Sequence, residues 1–354
     1  MRCGYHMQFQ NEHAGLADAE FVRNEMKICE MIEPAGFDIL WCVEHHFNSY
    51  SMLPDSLQAL AYLAGRTRTI QLGSAGVVLP WNDPLRVAEK VCMLDALCNG
   101  RFVFGMARGL SRREYRVLGI DMEEARGRFD ESAKMILAAL ETGVIEGAGP
   151  FYKQLHTEIR PRPSRSFKDR IYAVAMSPES VPIVAELGAT MMYFNLFDDF
   201  VHVANVEAYR GHFLRHHHRS APPVHNIDVT FCDRDKGRAE AIARDYIARY
   251  YVSVLEHYEL LALYHKTTKG YESHGAVAEI LKAAGKEKAM EDFVAVQACG
   301  TPQQILDRLE TRRKILGPFE WSAMLSFGGL PYADVASSVE TLGKYVLPEI
   351  ATWS

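Results

Sequence analysis

Short apolar segments alternate with amphipathic helical patterns along most of the chain. There are eight such apolar segments, and most of them lack strict alternation of apolar and polar residues, which is typical of strands that are buried on both faces. The predicted strands cover residues 2–7, 38–43, 70–78, 102–107, 171–175, 190–194, 226–231 and 321–327.

Helical patterns separate these strands. The clearest one begins after Asp83, a good N-terminal cap, has Pro84 at its first position, and stops at Asn99-Gly100. Other helices are predicted over about 18–34, 55–65, 125–140, 179–187, 203–216, 302–316 and 333–347.

Strands that alternate with helices eight times predict a (β/α)₈ TIM barrel of the α/β class, which typically needs about 250 residues. The chain has 354 residues. The excess lies mainly between the seventh and eighth strands, at about 233–320, where a long helical pattern (239–263) precedes a polar stretch (267–275). We predict one domain over 1–354, with a helical insertion over one end of the barrel; a separate helical domain is the alternative.

Composition excludes several classes of protein. Hydrophobic residues make up 48% and charged residues 24%, and the formal net charge is −6. These values are ordinary for a soluble globular protein and give no electrostatic reason to bind nucleic acid or an anionic membrane. We find no apolar run of the ~18 residues that a membrane span needs, and no signal peptide pattern. Seven cysteines without a Cys-x-x-Cys pair favour a reducing cytoplasm.

A polar segment, Glu44-His45-His46-Phe47, directly follows the second predicted strand. Active sites of (β/α)₈ barrels lie at this end of the strands. Adjacent histidines in extended chain point to opposite faces, so they are poor joint ligands for one metal, and a metal-dependent hydrolase is disfavoured. His45 is therefore a candidate general acid or base; a structural histidine is the alternative.

A candidate anion site follows the fourth and fifth strands. Arg108 and Arg126 offer donors suited to phosphate, while Ser177 and Ser180 flank the start of a helix. In the alternative interpretation Ser177 only caps that helix and the arginines pair with carboxylates. The carboxylates in question are Glu123, Glu124 and Asp130. A P-loop and a Gly-x-Gly-x-x-Gly after a strand are both missing, so neither a P-loop nucleotidase nor a Rossmann NAD site is supported.

Taken together, many short motifs in one order resemble the bacterial luciferase-like flavin monooxygenases, most closely the luciferase alpha subunit. The motifs are Gly36-Phe37-Asp38 with Trp41, Glu44-His45-His46-Phe47, Val78-Leu79-Pro80, Asp83-Pro84-Leu85-Arg86, Gly100-Arg101-Phe102, Phe104-Gly105, Arg108-Gly109-Leu110, Arg116-Val117 with Gly119, Asp121-Met122, Lys269-Gly270-Tyr271 and Gly300-Thr301-Pro302.

The resemblance implies a site for FMN. His45 falls on the family's catalytic histidine, and Ala75-Gly76 falls on a non-prolyl cis peptide that lies against the flavin ring. The stretch 267–275 matches a mobile region, which predicts a lid that orders when flavin binds. The residues at implied flavin-binding positions are Glu44, Ala75, Gly76, Arg108, Leu110, Arg126, Met176, Ser177 and Ser180.

The implied activity is monooxygenation of a small organic substrate by reduced FMN and O₂ through a C4a-hydroperoxide, with the flavin reduced by a separate reductase. A homodimer is also implied. Two alternatives remain open: an F420-dependent hydride-transfer oxidoreductase, and a non-catalytic flavin-binding partner subunit of the luciferase type.

The chain departs from luciferases around the reaction space. Ala107 stands in place of a reactive cysteine, Met176 in place of a glutamate, and Trp81-Asn82-Asp83 where a histidine is expected. We therefore expect the flavin site to be kept and the substrate pocket to differ. The aromatic residues proposed to line that pocket are Phe47, Trp81, Phe194 and Phe327; the alternative is that all four belong to the hydrophobic core.

Overall fold

A computed structural model describes residues 1–353, with Leu263 and His265 described by their backbone alone; Ser354, the last residue of the predicted domain, lies outside the described residues. The strands are β1 (Cys3–Met7), β2 (Ile39–Cys42), β3 (Gln71–Ser74), β4 (Val77–Val78), β5 (Phe102–Ala107), β6 (Val144–Ala148), β7 (Lys153–Glu158), β8 (Ile171–Val174), β9 (Thr190–Phe194), β10 (Val224–Val229) and β11 (Phe319–Met324).

Eight parallel strands close into a barrel. The order is β1, β2, β3, β5, β8, β9, β10 and β11, and β11 pairs with β1 to complete the circle. The predicted TIM barrel is confirmed. The third predicted strand is wrong as one continuous element, because it breaks at Ala75 and Gly76 and resumes as β4, which pairs with β5.

Helices surround the barrel, as expected for this architecture. They are α1 (Asp18–Ile32), α2 (Ser56–Arg66), α3 (Pro84–Leu97), α4 (Arg112–Val117), α5 (Ala125–Thr142), α6 (Val181–Glu186), α7 (Asp199–His217), α8 (Lys236–Ile242), α9 (Ala248–His257), α10 (Glu272–Ala284), α11 (Lys286–Val296), α12 (Pro302–Leu316), α13 (Tyr332–Tyr345) and α14 (Leu347–Ile350). None of those in residues 1–353 is long and apolar enough to cross a membrane.

Local sequence signals set several helix ends. Asp83 caps α3 by accepting a hydrogen bond from the backbone of Arg86 at 3.0 Å, as predicted. Helices α8 to α12 lie between β10 and β11. The pattern at 239–263 is not one helix: a π-helical turn at Ala243–Ile247 joins α8 to α9, and α9 ends at His257.

An antiparallel hairpin formed by β6 and β7 lies outside the barrel sheet and was not predicted. Its second strand is largely exposed, and Leu155 there is 85% exposed. A short polar strand of this kind has no buried face, so it lacks the apolar pattern from which strands are predicted.

The barrel interior is filled by large side chains. Trp41 lies at its centre, where a Cβ atom on Gly4 or Gly73 would overlap the indole ring. Tyr172 packs edge-on against Trp41 at 4.8 Å between ring centroids. The hydroxyl of Tyr172 donates a hydrogen bond to Glu320 at 2.8 Å. The amino end of the barrel is thus closed, which leaves the carboxyl end of the strands for a site.

Candidate active site

His45 lies just beyond the carboxyl end of β2 and contacts a buried carboxylate. Its Nδ1 is 3.3 Å from Oε1 of Glu114, which projects from α4 and is fully buried. The backbone N–H of His46 donates to the same oxygen at 2.6 Å. Although burial opposes its charge, His45 and His257 hold the pKa of Glu114 well below its usual range. Glu114 therefore holds a negative charge beside the imidazole ring.

A second histidine faces Glu114 from the end of α9. The Nε2 atom of His257 is 3.6 Å from Glu114 Oε2. Asn48 accepts a hydrogen bond from the backbone of Tyr50 at 3.1 Å through Oδ1, so its Nδ2 donates to His257 Nδ1 at 2.8 Å. His257 therefore carries its proton on Nε2. Burial lowers the pKa of His257 to about 4, so its ring is neutral near pH 7.

His45, Glu114 and His257 have ligand atoms within 4.8 Å of one another, which is close enough for a metal ion. The hydrogen bonds argue against one. A metal on Nε2 of His257 needs a proton on Nδ1, and that nitrogen already accepts a hydrogen bond from Asn48. The trio is better described as a carboxylate that accepts from His45 and lies 3.6 Å from the imidazole of His257.

The other nitrogen of His45 faces a tyrosine. The Nε2 atom lies 3.1 Å from the hydroxyl of Tyr258, the residue after α9. Glu114 and Tyr258 are 69 and 213 positions from His45 in sequence. Sequence reasoning missed them, because only the fold brings them to His45.

His46 points away from His45, as predicted for adjacent histidines. Its Nε2 is 3.5 Å from Glu44 and its ring packs edge-on against Trp81 at 5.6 Å. Glu44 is buried and accepts from the backbone of Val78 at 2.9 Å. Glu44 thus holds Val78, the last residue of β4, close to the break in the third predicted strand.

Hydrogen bonds connect three of the four residues of the predicted anion site. Arg126 donates to the hydroxyl of Ser180 at 3.0 Å, and that hydroxyl lies 3.0 Å from the hydroxyl of Ser177. Burial and the neighbouring positive charge of Arg108 lower the pKa of Arg126. Arg126 also lies 3.7 Å from Asp130, so the alternative carboxylate pairing is present only as a loose contact.

The polar stretch at 267–275 lies over these arginines. Arg108 donates to the carbonyl of Gly270 at 2.7 Å and stacks 3.9 Å above the ring of Tyr271. Tyr271 is 1% exposed, and its hydroxyl donates to the carbonyl of Gly109 at 2.7 Å. Ser273 donates to Glu179, beside the serines, at 3.1 Å. We name residues 267–275 the cover segment.

The cis peptide expected at Ala75-Gly76 is confirmed. A Cβ on Gly76 would lie 2.7 Å from the carbonyl carbon of Met106 in β5. The segment between β3 and β4 can therefore approach β5 this closely only because residue 76 is glycine. Four residues at or just after the carboxyl ends of barrel strands are partly exposed at the mouth of the barrel. They are Ala107, Val174, Met176 and Phe194.

The short helix α4 connects the His45–Glu114 pair to the predicted anion site. On α4, Glu114 faces His45, and the next residue, Tyr115, donates its hydroxyl to the carbonyl of Arg108. Leu110 packs in the small apolar cluster around Tyr115. His45 and Arg108 are thus both connected to α4.

The four aromatic residues proposed for a substrate pocket differ in burial and surroundings. Phe194 lies at the mouth of the barrel, whereas Phe327 is 1% exposed and packs near Tyr250. Phe47 is 48% exposed. A substrate pocket lined by all four residues stays a prediction.

The donor set suits the phosphate of a flavin. Two neighbouring guanidinium groups and two hydroxyl groups match a dianion of this size. The small residues Ala75, Gly76 and Ala107 leave room beside this site. On the chemistry of the residues present, FMN fits this site.

Comparison with known proteins identifies the family. Residues 1–317 match the family described as luciferase-like monooxygenase. The alkanal monooxygenase alpha chain of Photorhabdus luminescens is 29% identical over 303 residues, which cover 83% of this chain and 82% of that protein.

Solved structures share the fold. Monooxygenase RslO1 from Streptomyces bottropensis has a TM-score of 0.78 at 20% identity, and covers 99% of both chains. The oxygenating constituent of 3,6-diketocamphane monooxygenase from Pseudomonas putida, in complex with FMN, has a TM-score of 0.76 at 15% identity and the same coverage. The coenzyme F420-dependent tetrahydromethanopterin reductase from Methanopyrus kandleri has a TM-score of 0.68 at 19% identity, and covers 98% of this chain and 99% of that one.

The match over residues 1–317, together with the barrel and the order of the motifs along it, leads to one conclusion. This chain belongs to the luciferase-like monooxygenase family.

Proposed function

We propose that the chain is a monooxygenase that uses reduced FMN and O₂ to oxygenate a small organic substrate. The observation that carries the proposal is the anion site, where Arg126 and Ser180 are hydrogen-bonded beside Arg108. Arg108 follows β5 and the two serines follow β8, so the cluster lies at the carboxyl ends of the strands. Helix α4 connects Arg108 to the His45–Glu114 pair. Family membership supports an oxidoreductase, and the anion site supports FMN as its cofactor.

The arrangement of charges favours a phosphate over a carboxylate or a neutral ligand. Burial lowers the pKa of Arg126, and repulsion from the positive charge of Arg108 lowers it further. A dianion between them relieves that repulsion and gains charge-assisted hydrogen bonds. In our proposal Ser177, Ser180 and the backbone at Leu110 complete the phosphate site, and Met176 and Glu44 lie beside the flavin ring.

The cover segment favours FMN over F420. Gly270 and Tyr271 close over Arg108 from the outer side. FMN ends at its phosphate, whereas F420 continues beyond its phosphate into a longer chain that needs an open path. A covered anion site therefore suits a terminal phosphate. We include in the proposal that this segment acts as a lid over bound flavin.

Bound reduced FMN would supply the electrons that activate O₂. The protein would hold the cofactor, keep water out and move a proton. Glu114 accepts from Nδ1 of His45, which leaves the lone pair on Nε2, and this is how a buried carboxylate sets the tautomer of a general base. We assign His45 the role of proton carrier during oxygen transfer.

The proposal includes a separate flavin reductase, because the sequence has no strand followed by the glycine-rich motif of an NAD site. All seven cysteines are free thiols, which supports a reducing, cytoplasmic location. A homodimer is the proposed assembly. Three exposed apolar residues on α2 and α3 support it: Tyr62, Met93 and Leu97 are 50%, 52% and 55% exposed. Light scattering on the purified protein tests the assembly.

Binding of reduced FMN and reduced riboflavin to matched variants tests the cofactor. Arg126→Ala removes a charge-assisted contact worth about 1.5–3 kcal/mol, so affinity for reduced FMN should fall roughly 10- to 100-fold. Arg108→Ala should have a similar effect. The control is Arg128→Ala on the same helix, since Arg128 pairs with Glu124.

Reduced riboflavin lacks the phosphate, so the same variants should change its affinity little. The proposal is contradicted if wild-type protein binds reduced FMN and reduced riboflavin equally well. It is also contradicted if Arg126→Ala and Arg128→Ala behave alike.

A further inference from the structure

The end of helix α9, which lies between β10 and β11, completes the proton-handling part of the site. Two consecutive residues there reach the His45–Glu114 pair. His257 lies 3.6 Å from the carboxylate of Glu114, and the hydroxyl of Tyr258 lies 3.1 Å from Nε2 of His45. Both contacts come from outside the eight barrel strands.

Hydrogen bonding decides the direction of the contact between Tyr258 and His45. The charged carboxylate of Glu114 accepts from Nδ1 of His45, so the proton of the neutral ring is on Nδ1. Nε2 then carries only a lone pair. A hydroxyl 3.1 Å from a lone pair donates to it, so Tyr258 is the donor.

The remaining surroundings keep Tyr258 protonated. Burial raises the pKa of Tyr258 well above its ordinary value, and the negative charge of Glu114 acts in the same direction. A neutral phenol held against an imidazole lone pair can pass its proton on and take another in the same step. The titratable groups that face His45 and Tyr258 are Glu114, His257, Tyr50, Tyr250 and the buried His6.

We propose that Tyr258 relays the proton between His45 and the reacting species, an inference that rests on the proposed function. When His45 acts as base, an O–H or N–H bond of the reacting species breaks and its proton joins the oxygen of Tyr258. The phenol O–H bond breaks at the same time, and that proton joins Nε2 of His45. Glu114 stabilises the resulting imidazolium, and the reverse transfer returns the proton.

Tyr258→Phe removes the hydroxyl and keeps the ring, so it tests the relay directly. The matched control is Tyr250→Phe on the same helix, because the Tyr250 hydroxyl faces that of Tyr50 at 3.3 Å. The first measurement is the ¹⁵N spectrum of the histidines in cofactor-free protein. Loss of the Tyr258 hydrogen bond should move the Nε2 signal of His45 downfield, while Tyr250→Phe should leave it in place.

The second measurement is the rate at which protein loaded with reduced FMN is reoxidised by O₂, followed across a range of pH. Tyr258→Phe should slow this step by ~10²-fold and alter its pH profile, as expected when a proton carrier is lost. Because the two residues act in series, His45→Ala combined with Tyr258→Phe should be no slower than His45→Ala alone. Tyr250→Phe should keep the wild-type profile.

Three results would overturn the relay. They are an unmoved Nε2 signal, a moved signal with an unchanged rate and pH profile, and additive losses in the double variant. Failure of the proposed function is a different result: wild-type protein would not bind reduced FMN at all. The ¹⁵N comparison needs no cofactor, so it separates the two cases.

Discussion

Glu25 on α1 is an ionisable residue that the proposed chemistry does not use. It is 1% exposed and accepts a hydrogen bond from the hydroxyl of Ser326 at 2.7 Å. Burial raises the pKa of Glu25 to about 7, so the folded protein holds a proton on this carboxyl group where an unfolded chain does not. This difference links stability to pH.

The sign of the pH effect follows from the raised pKa. Below the unfolded pKa of about 4.3 both states are protonated, and the contribution of Glu25 to stability is fully present. As pH rises towards 7 the unfolded state releases its proton first, so this stability is lost. Glu25→Gln should therefore raise the free energy of unfolding at pH 8, by on the order of 3 kcal/mol, and change it little at pH 4.5.

Urea denaturation at the two pH values measures this difference. Glu20→Gln on the same helix is the control, because Glu20 is exposed. A gain for Glu25→Gln that is equal at pH 4.5 and pH 8 would show that ionisation of Glu25 plays no part.

Adding one Cβ atom at Gly76 tests the close approach of this residue to β5. A Cβ there would meet the backbone of Gly105 and Met106 at 2.7–2.8 Å, and backbone cannot yield as a flexible side chain can. Gly76→Ala should therefore lower the melting temperature and weaken binding of reduced FMN. Gly65→Ala on α2 is the control, since nothing lies within 4 Å of its Cβ, and it should stabilise by up to about 1 kcal/mol. Equal melting temperatures for the two variants would contradict the close approach.

How much the sequence predicts of the site depends on distance along the chain. His45 could be found because it follows a strand whose end faces the site. Glu114 could not, since a single carboxylate among the arginines of α4 looks like a solvated helix face. Tyr258 likewise gives no local signal, because its role depends on a contact with a residue 213 positions away.

At the scale of elements, one buried arginine joins three parts of the chain. Arg312 on α12 is fully buried and donates to Asp199 on α7 at 2.7 Å and to Asp228 on β10 at 3.0 Å. Burial alone would lower the pKa of Arg312, but the two carboxylates raise it above its ordinary value. The guanidinium group is therefore charged and paired.

Arg312→Met leaves buried Asp228 without its cation and leaves Asp199 with only Arg308, at 3.3 Å. Breaking a buried pair in this way typically costs about 3–5 kcal/mol, and we expect a loss of that size in the free energy of unfolding. Lys314→Met on the same helix is the control, because Lys314 is 70% exposed and pairs only with a surface glutamate. Comparable losses for both variants in chemical denaturation would argue against the network.

The sequence pattern predicts the strands that are buried on both faces and misses those that have an exposed face. All eight barrel strands have apolar runs, so they could be found. The break at Ala75-Gly76 could not be derived from the apolar pattern, since 70–78 reads as one run, and only the resemblance pointed to it. The hairpin of β6 and β7 has only the short apolar pair Val144-Ile145, and β7 is largely exposed, so the apolar pattern does not predict the hairpin.

The whole molecule combines a confirmed family and barrel with a proposed cofactor. Eight alternations of strand and helix predict the architecture, because that pattern has few stable packings. The choice between FMN and F420 cannot be predicted from that alternation of strands and helices. It depends on the shape of a covered anion site, which the cover segment forms only after the chain has folded.

Anaerobic titration of the wild-type protein with reduced FMN, oxidised FMN and reduced F420, followed by mixing with O₂, tests the central claim most directly. We predict that reduced FMN binds more tightly than the other two, and that its complex consumes O₂. Tight binding of F420 with weak binding of reduced FMN would contradict the account, and so would a reduced FMN complex that does not react with O₂.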